Sequence, residues 1–169
     1  MPGLSLGGRH ARQSTAMEIL VRRATRADAG AVREIVLRAL RETNARDYPP
    51  SVIDRLVLTL PDKVASNLET WCAFVAIVDG RIAGTGSLNG DTVSSVYVDP
   101  DYQGRGIATR LMDAVEDVAN TSSRGMLSVQ SSVTAKPFYA RRGFRIVREG
   151  FFGEEPTILM SKEIPSRDD

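Results

Sequence analysis

Val98-Asp99-Pro100-Asp101-Tyr102-Gln103-Gly104-Arg105-Gly106-Ile107-Ala108 is the stretch whose reading decides the fold of this chain. Ahead of it, Thr92-Val93-Ser94-Ser95-Val96-Tyr97-Val98 is rich in β-branched residues and reads as a strand. Behind it, Leu111, Met112, Val115, Val118 and Ala119 recur at helical spacing, with Arg110, Asp113, Glu116 and Asp117 between them. A strand therefore stops, a Pro-Asp turn follows, and a glycine-rich loop opens a helix. Gly104 and Gly106 carry no Cβ, so a ligand can come close to the backbone. The first amides of a helix lack partners within it and carry the positive end of its dipole. Together these make a site for a phosphate or pyrophosphate. Two glycines also suit a loop that only turns the chain, and glycines alone do not separate the two readings.

The wider pattern narrows the choice. No Gly-Lys-Ser/Thr follows, so this is not a Walker loop, and Gly104-Arg105-Gly106-Ile107-Ala108-Thr109 lacks the last glycine of the dinucleotide fingerprint. Gln103, Gly106 and Ala108 match the Gln/Arg-x-x-Gly-x-Gly/Ala loop of the GCN5-related N-acetyltransferases (the GNAT superfamily), which this stretch resembles together with its preceding Val98-x-Pro100. Downstream, Phe138-Tyr139-Ala140-Arg141-Arg142-Gly143-Phe144 is similar to that family's Phe-Tyr-x-x-x-Gly-Phe segment. The resemblance extends over about residues 18 to 163.

The resemblance implies an α/β fold of mixed type. It consists of a mostly antiparallel twisted sheet flanked by helices, with a parallel, splayed strand pair at an acetyl-CoA site. It also implies an acyltransferase that passes an acetyl group from acetyl-CoA directly to an amine, on a small molecule or a peptide. The loop Gln103, Gly104, Arg105, Gly106, Ile107, Ala108 and Thr109 would hold the pyrophosphate, with Arg105 and Arg110 available to pair with phosphates. Backbone groups of Val96, Tyr97 and Val98 would bond the acetyl carbonyl and the pantetheine, stabilising the oxyanion as the amine attacks. Ser132 stands where many relatives place an asparagine that binds the pantetheine, and Thr134 is its potential replacement. Tyr139 would direct its hydroxyl at the thioester sulfur as general acid, while Phe138 anchors the helix in the core. A lysine-like amine, with pKa about 10.4, must also lose a proton, and Asp91, Asp99 and Glu42 are the candidate bases. A CoA-binding sensor or regulatory module that keeps the loop without the chemistry is the alternative function. An enzyme acting on a macromolecule, such as a protein N-terminus or charged tRNA, is a third version.

Length and composition agree with one domain over residues 17–163, between an N-terminal extension (1–16) read as disordered and a polar C-terminal tail (164–169). With 22 basic and 21 acidic residues the net charge is +1, which gives no support to a broad nucleic-acid surface. No apolar run is long enough to span a membrane, and residues 1–16 lack the core of a secretory signal, so the expected location is cytoplasmic. A homodimer is compatible with the composition. The one cysteine, Cys72, sits in an apolar run and reads as a core residue; the one histidine, His10, lies in the extension. No metal and no Cys-His or Ser-His-Asp nucleophile is therefore expected.

Along the chain, Glu18–Arg23 reads as a first strand, and Thr25 with Asp28 as a capping box for a helix fading near Asn44. Tyr48-Pro49-Pro50 breaks the chain, a second helix runs through Leu60, and Pro61-Asp62-Lys63 opens a further short segment. Strands at 74–78, 81–88 and 92–98, joined by Asp79-Gly80 and Asn89-Gly90 turns, form a meander, in which Gly84 and Gly86 mark a bend or a close contact. After a turn at 120–125, a strand at 126–131 pairs in parallel with the 92–98 strand. Strands at 143–148 and 157–162 follow, with Phe151–Pro156 as a loop bordering the acceptor site.

Overall fold

The computed structural model describes residues 17–121 and 125–165, so the expectations for residues 1–16 and 166–169 lie outside the described residues. Seven strands form one sheet: β1 (Leu20–Arg23), β2 (Cys72–Val78), β3 (Arg81–Asn89), β4 (Thr92–Val98), β5 (Met126–Ser131), β6 (Arg145–Phe152) and β7 (Glu155–Glu163). Their order is β1-β2-β3-β4-β5-β7-β6. Every neighbouring pair is antiparallel except β4 and β5. Among the described residues four α-helices accompany them: α1 (Ala29–Glu42), α2 (Pro50–Ser66), α3 (Ile107–Thr121) and α4 (Lys136–Arg141).

Strand alternation divides the core into two layers. Phe74, Ala76 and Val78 of β2 face α3, with Leu111, Met112 and Val115. Ala73 and Val75 face the other way, toward Val32, Val36 and Leu40 of α1 and Val64 of α2. Gly84 and Gly86 lie under α3. A Cβ on Gly84 would stand 3.0 Å from both the Ile107 side chain and the Tyr97 carbonyl, so the absent side chain lets the helix press onto the sheet. The register also shifts beside Gly84, so bend and close contact both occur.

The meander follows its turn residues. Asp79 (φ 51) and Gly80 (φ 74) both take positive φ, as a type I′ hairpin requires. At the second turn the expected pair moves on by one residue. Asn89 stays in the ladder opposite Thr92, and Gly90 (φ 66) with Asp91 makes the turn. The capping box forms, with the Thr25 amide donating to Asp28 Oδ2 at 2.8 Å and one 3-10 turn preceding α1.

Two expectations are corrected. α2 is one helix through Pro61, not two. Proline forgoes one helical hydrogen bond, but Val52, Ile53, Pro61 and Val64 are all buried along the helix, and that packing holds it continuous. The 151–156 segment is not a loop: β6 runs to Phe152, β7 starts at Glu155, and only Gly153 (φ 60) and Glu154 turn the chain. β6 is exposed along its whole length at the sheet edge, and it carries the strand expected at 143–148 on to Phe152. Ile164, assigned to the tail by composition, is 7% exposed, and its amide donates to the Gly125 carbonyl.

Candidate active site

The parallel pair is short. β4 and β5 are in register only at Thr92–Ser128 and Val93–Val129. Immediately after, β4 carries an extra residue, since Val93 faces Leu88 and Ser95 faces Ser87, leaving Ser94 as a bulge. A bulge bends the strand that contains it, and β4 departs from β5 at this point. β5 continues against β7 as far as Ser131–Ile158. The open edge of β4, including Val96, Tyr97 and Val98, becomes the wall of a cavity of about 730 Å³. That volume suits a small-molecule site.

The glycine loop forms one end of the cavity. Gly104 (φ 74) and Gly106 (φ 83) adopt a conformation that glycine favours, and open space lies where a Cβ would stand. The Arg110 amide is bonded to the Gly106 carbonyl at 3.1 Å, which leaves the preceding amides, Ile107, Ala108 and Thr109, at the open N-terminus of α3. Gln103, Gly104, Gly106, Ile107, Ala108 and Thr109 line the cavity. Arg105 does not line it; its guanidinium lies over the Tyr102 ring, 5.4 Å from the centroid. Arg110 is exposed and also stands off the wall. The approach to the loop is clamped by Arg38, which reaches Asp99 at 2.9 Å and Asp101 at 3.3 Å while also bonding Glu42 at 3.1 Å.

α4 forms another wall. Its end is a Schellman motif: Gly143 (φ 95) donates to the Ala140 carbonyl and Phe144 to the Tyr139 carbonyl, each at 3.1 Å. The Phe-Tyr-x-x-x-Gly-Phe spacing is thus a helix cap that pins Tyr139. Phe144 completes the motif by standing edge-on to Tyr139, with centroids 5.4 Å apart. Arg142, paired with Asp113 and Glu116, ties the same cap to α3. Tyr139 is the more buried of the two aromatics, at 4% exposure, and Phe138 is half-buried and packs against the core. Both line the cavity. Tyr139 lines the cavity, and its hydroxyl has no hydrogen-bond partner among the described residues. Burial first, then Tyr97, pushes its pKa well above the ordinary phenol value, which keeps it a proton donor.

Ser132 lines the cavity, with its hydroxyl oxygen accepting from the Ala135 amide at 3.0 Å. Thr134 is off the wall, and its hydroxyl is enclosed and unpartnered. None of the three candidate bases reaches the cavity. Asp99 and Glu42 are held by Arg38, and Asp91 sits in the exposed hairpin turn.

Several cavity residues were not singled out by their sequence, Tyr48 and Glu155 among them. Tyr48, between α1 and α2, is 8% exposed and accepts a hydrogen bond from the Val133 amide. Glu155 belongs to the β6–β7 hairpin, which overshoots the Ser131–Ile158 pair at the end of β5 by three residues. It turns back to α2, where Glu155 pairs with Arg55, and Ser51 donates to Glu154 at 2.6 Å. Burial foremost, with Tyr48 and Glu155 next, pushes the Tyr97 phenol up. The only sequence signal for this corner was the loop-like run of aromatics and acids at 151–156. Among the described residues no group of three or more His, Cys, Asp or Glu could hold a metal ion, and no helix is long and apolar enough to cross a membrane.

Comparison with known proteins points the same way. An acetyltransferase (GNAT) domain model matches residues 60–158. The uncharacterized N-acetyltransferase YafP of Escherichia coli (strain K12) is 30% identical over 115 residues, 68% of this chain and 73% of that protein. A GCN5-related N-acetyltransferase crystal structure from Rhodopseudomonas palustris, described as a class-II aminotransferase, superposes with a TM-score of 0.82. It is 26% identical, over 88% of this chain and 98% of its own. The PaiA N-acetyltransferase of Thermoplasma acidophilum, solved with coenzyme A, has a TM-score of 0.71 at 16% identity, over 88% of this chain and all of its own.

Proposed function

The chain belongs to the GNAT acetyltransferase family, and on that premise we propose that it transfers an acetyl group from acetyl-CoA to an amine. The observation that carries this reading is the cavity between the parted strands, with the open amides of α3 at one end and Tyr139 in its wall. Acetyl-CoA supplies a thioester whose carbonyl carbon is open to a nucleophile. The room beside Gly104 and Gly106 lets a pyrophosphate reach the amides of Ile107, Ala108 and Thr109, where the helix dipole favours negative charge. The pantetheine arm then follows the edge of β4. Backbone groups of Val96, Tyr97 and Val98 orient the acetyl carbonyl and receive its developing negative charge.

Tyr139 is the general acid in this reading. Its hydroxyl donates to the sulfur as the C–S bond breaks. A thiol with pKa about 8.5 is a weaker base, as thiolate, than a phenolate, so the strengthening hydrogen bond is what helps, and full transfer follows collapse of the intermediate. Acetyl-CoA titration followed by thiol release across a panel of amines tests the function. Binding without thiol release from any amine would turn the reading to a CoA sensor.

A further inference from the structure

The acceptor side of the cavity has a polarity of its own. Three charged residues line the cavity: Lys63, Arg141 and Glu155. Arg141 is on α4, with Tyr139. Lys63 is on α2, and Glu155, on β7, is paired with Arg55 of α2. Glu155 is the one carboxylate among the lining residues, and Arg55 holds it through Oε2, which leaves Oε1 free. Next to it are Tyr97 and Tyr48, both kept neutral by burial, so nothing but Glu155 supplies negative charge here. Leu56, Leu60 and Lys63 follow one another at i, i+4 and i+7, on the face of α2 that lines the cavity. Arg55 fixes the Glu155 end, and Lys63 lies about 12 Å further along the helix. The Lys63 ammonium has no ion-pair partner among the described residues, and an unpaired cation at a cavity wall repels a second cation.

Resting on the acetyltransferase reading, we infer that the acceptor is a primary amine with an apolar stem and no second positive charge. Glu155 receives its ammonium and takes its proton, and Lys63 faces its far end. The step balances as follows. One proton passes from the ammonium to the Glu155 carboxylate. The freed nitrogen pair forms the C–N bond at the acetyl carbon, and the C–S bond breaks with its electron pair on sulfur. The sulfur ends as the thiol, with a proton from Tyr139, and the second nitrogen proton restores Tyr139. Solvent takes the proton from Glu155.

Three probes of one stem length test this: hexylamine, 6-aminohexanoate and 1,6-diaminohexane, each assayed for thiol release with saturating acetyl-CoA. The full-length protein should prefer them in the order 6-aminohexanoate, hexylamine, diamine. Lys63→Glu should invert that order. Glu155→Gln should lower kcat/KM for all three by roughly 10²-fold or more, with acetyl-CoA affinity unchanged. Glu154→Gln, which loosens the same hairpin contact without touching the cavity, should change neither. Parental rates in Glu155→Gln, equal losses in Glu154→Gln, or an order unmoved by Lys63→Glu would overturn the inference. A parent that transfers to other amines but to none of these three would overturn it too, and would leave the acetyltransferase reading standing. A parent that transfers to no amine at all would bring down both.

Discussion

The Tyr48 hydroxyl accepts a hydrogen bond from the Val133 amide at 2.8 Å, joining the turn between α1 and α2 to the loop that leads from β5 into α4. Two walls of the cavity, from distant parts of the chain, thereby hold each other in place. Tyr48→Phe removes the acceptor and leaves a partly buried amide unpaired, at a cost of about 1–3 kcal/mol. Its melting temperature should fall by several degrees, and acetyl-CoA should bind more weakly because Ser132 shares the loop. Melting curves with and without ligand measure both effects.

A second expectation concerns pH. Arg22 grips Asp28 at 2.8 and 2.9 Å, and these hydrogen bonds foremost hold the Asp28 carboxyl below its usual pKa. A depressed folded-state pKa gives stability that is present above the unfolded value of about 3.9 and is lost as pH falls through the folded value. Asp28→Asn should therefore melt a few degrees below the parent at pH 7. The cost is on the order of 1–2 kcal/mol once the half-exposed Arg22 is discounted. The gap should close below about pH 4. A gap that persists unchanged into acid would assign the effect to something other than the charge.

The glycine loop carries a third. At a hundredfold excess over Kd, acetyl-CoA should raise the parent's melting temperature by roughly 5–10 °C. Gly106→Glu should abolish the shift by placing bulk and negative charge at the phosphate site. Gly80→Ala supplies the control, because it imposes a similar positive-φ strain (φ 74) in a hairpin away from the cavity. It should lower the melting temperature and keep the shift. Loss of the shift in both variants would make strain the cause.

Much of this architecture was legible because local chemistry and tertiary packing agree. Asp79-Gly80 turns where both residues tolerate positive φ, and β5 has the expected bounds, 126–131. Gly143 sits where a helix cap demands it, which is why a short motif located Tyr139. Legibility ended where packing overrides local preference. Pro61 stays within α2 because neighbouring residues are buried on the core, and the far end of β6, beyond the strand expected at 143–148, stays paired to β7 through Phe152. The carboxylate that lines the cavity was missed for a related reason. Asp99 and Glu42 lie near the loop or the first helix in sequence, but Arg38 draws both into one ion cluster. Glu155 enters the cavity through a hairpin overhang that no short stretch of sequence encodes.

The pH profile of the transfer step distinguishes Tyr139 from an ordinary surface phenol. Burial and Tyr97 raise its pKa, so the hydroxyl stays protonated through the ordinary tyrosine range near 10. The parent's kcat should accordingly show no falling limb below about pH 10 that disappears in Tyr139→Phe. A falling limb at lower pH that Tyr139→Phe removes would mean that the phenol ionises normally.

The most direct measurement is single-turnover acetyl transfer by Tyr139→Phe with an acceptor that the parent uses. The substitution keeps the ring against Phe138 and Phe144, with centroids 5.3 and 5.4 Å away, and removes only the hydroxyl. The chemical step should slow by roughly 10²–10⁴-fold, while melting temperature and acetyl-CoA affinity remain those of the parent. A variant that transfers the acetyl group at the parental rate would contradict Tyr139 as the acid.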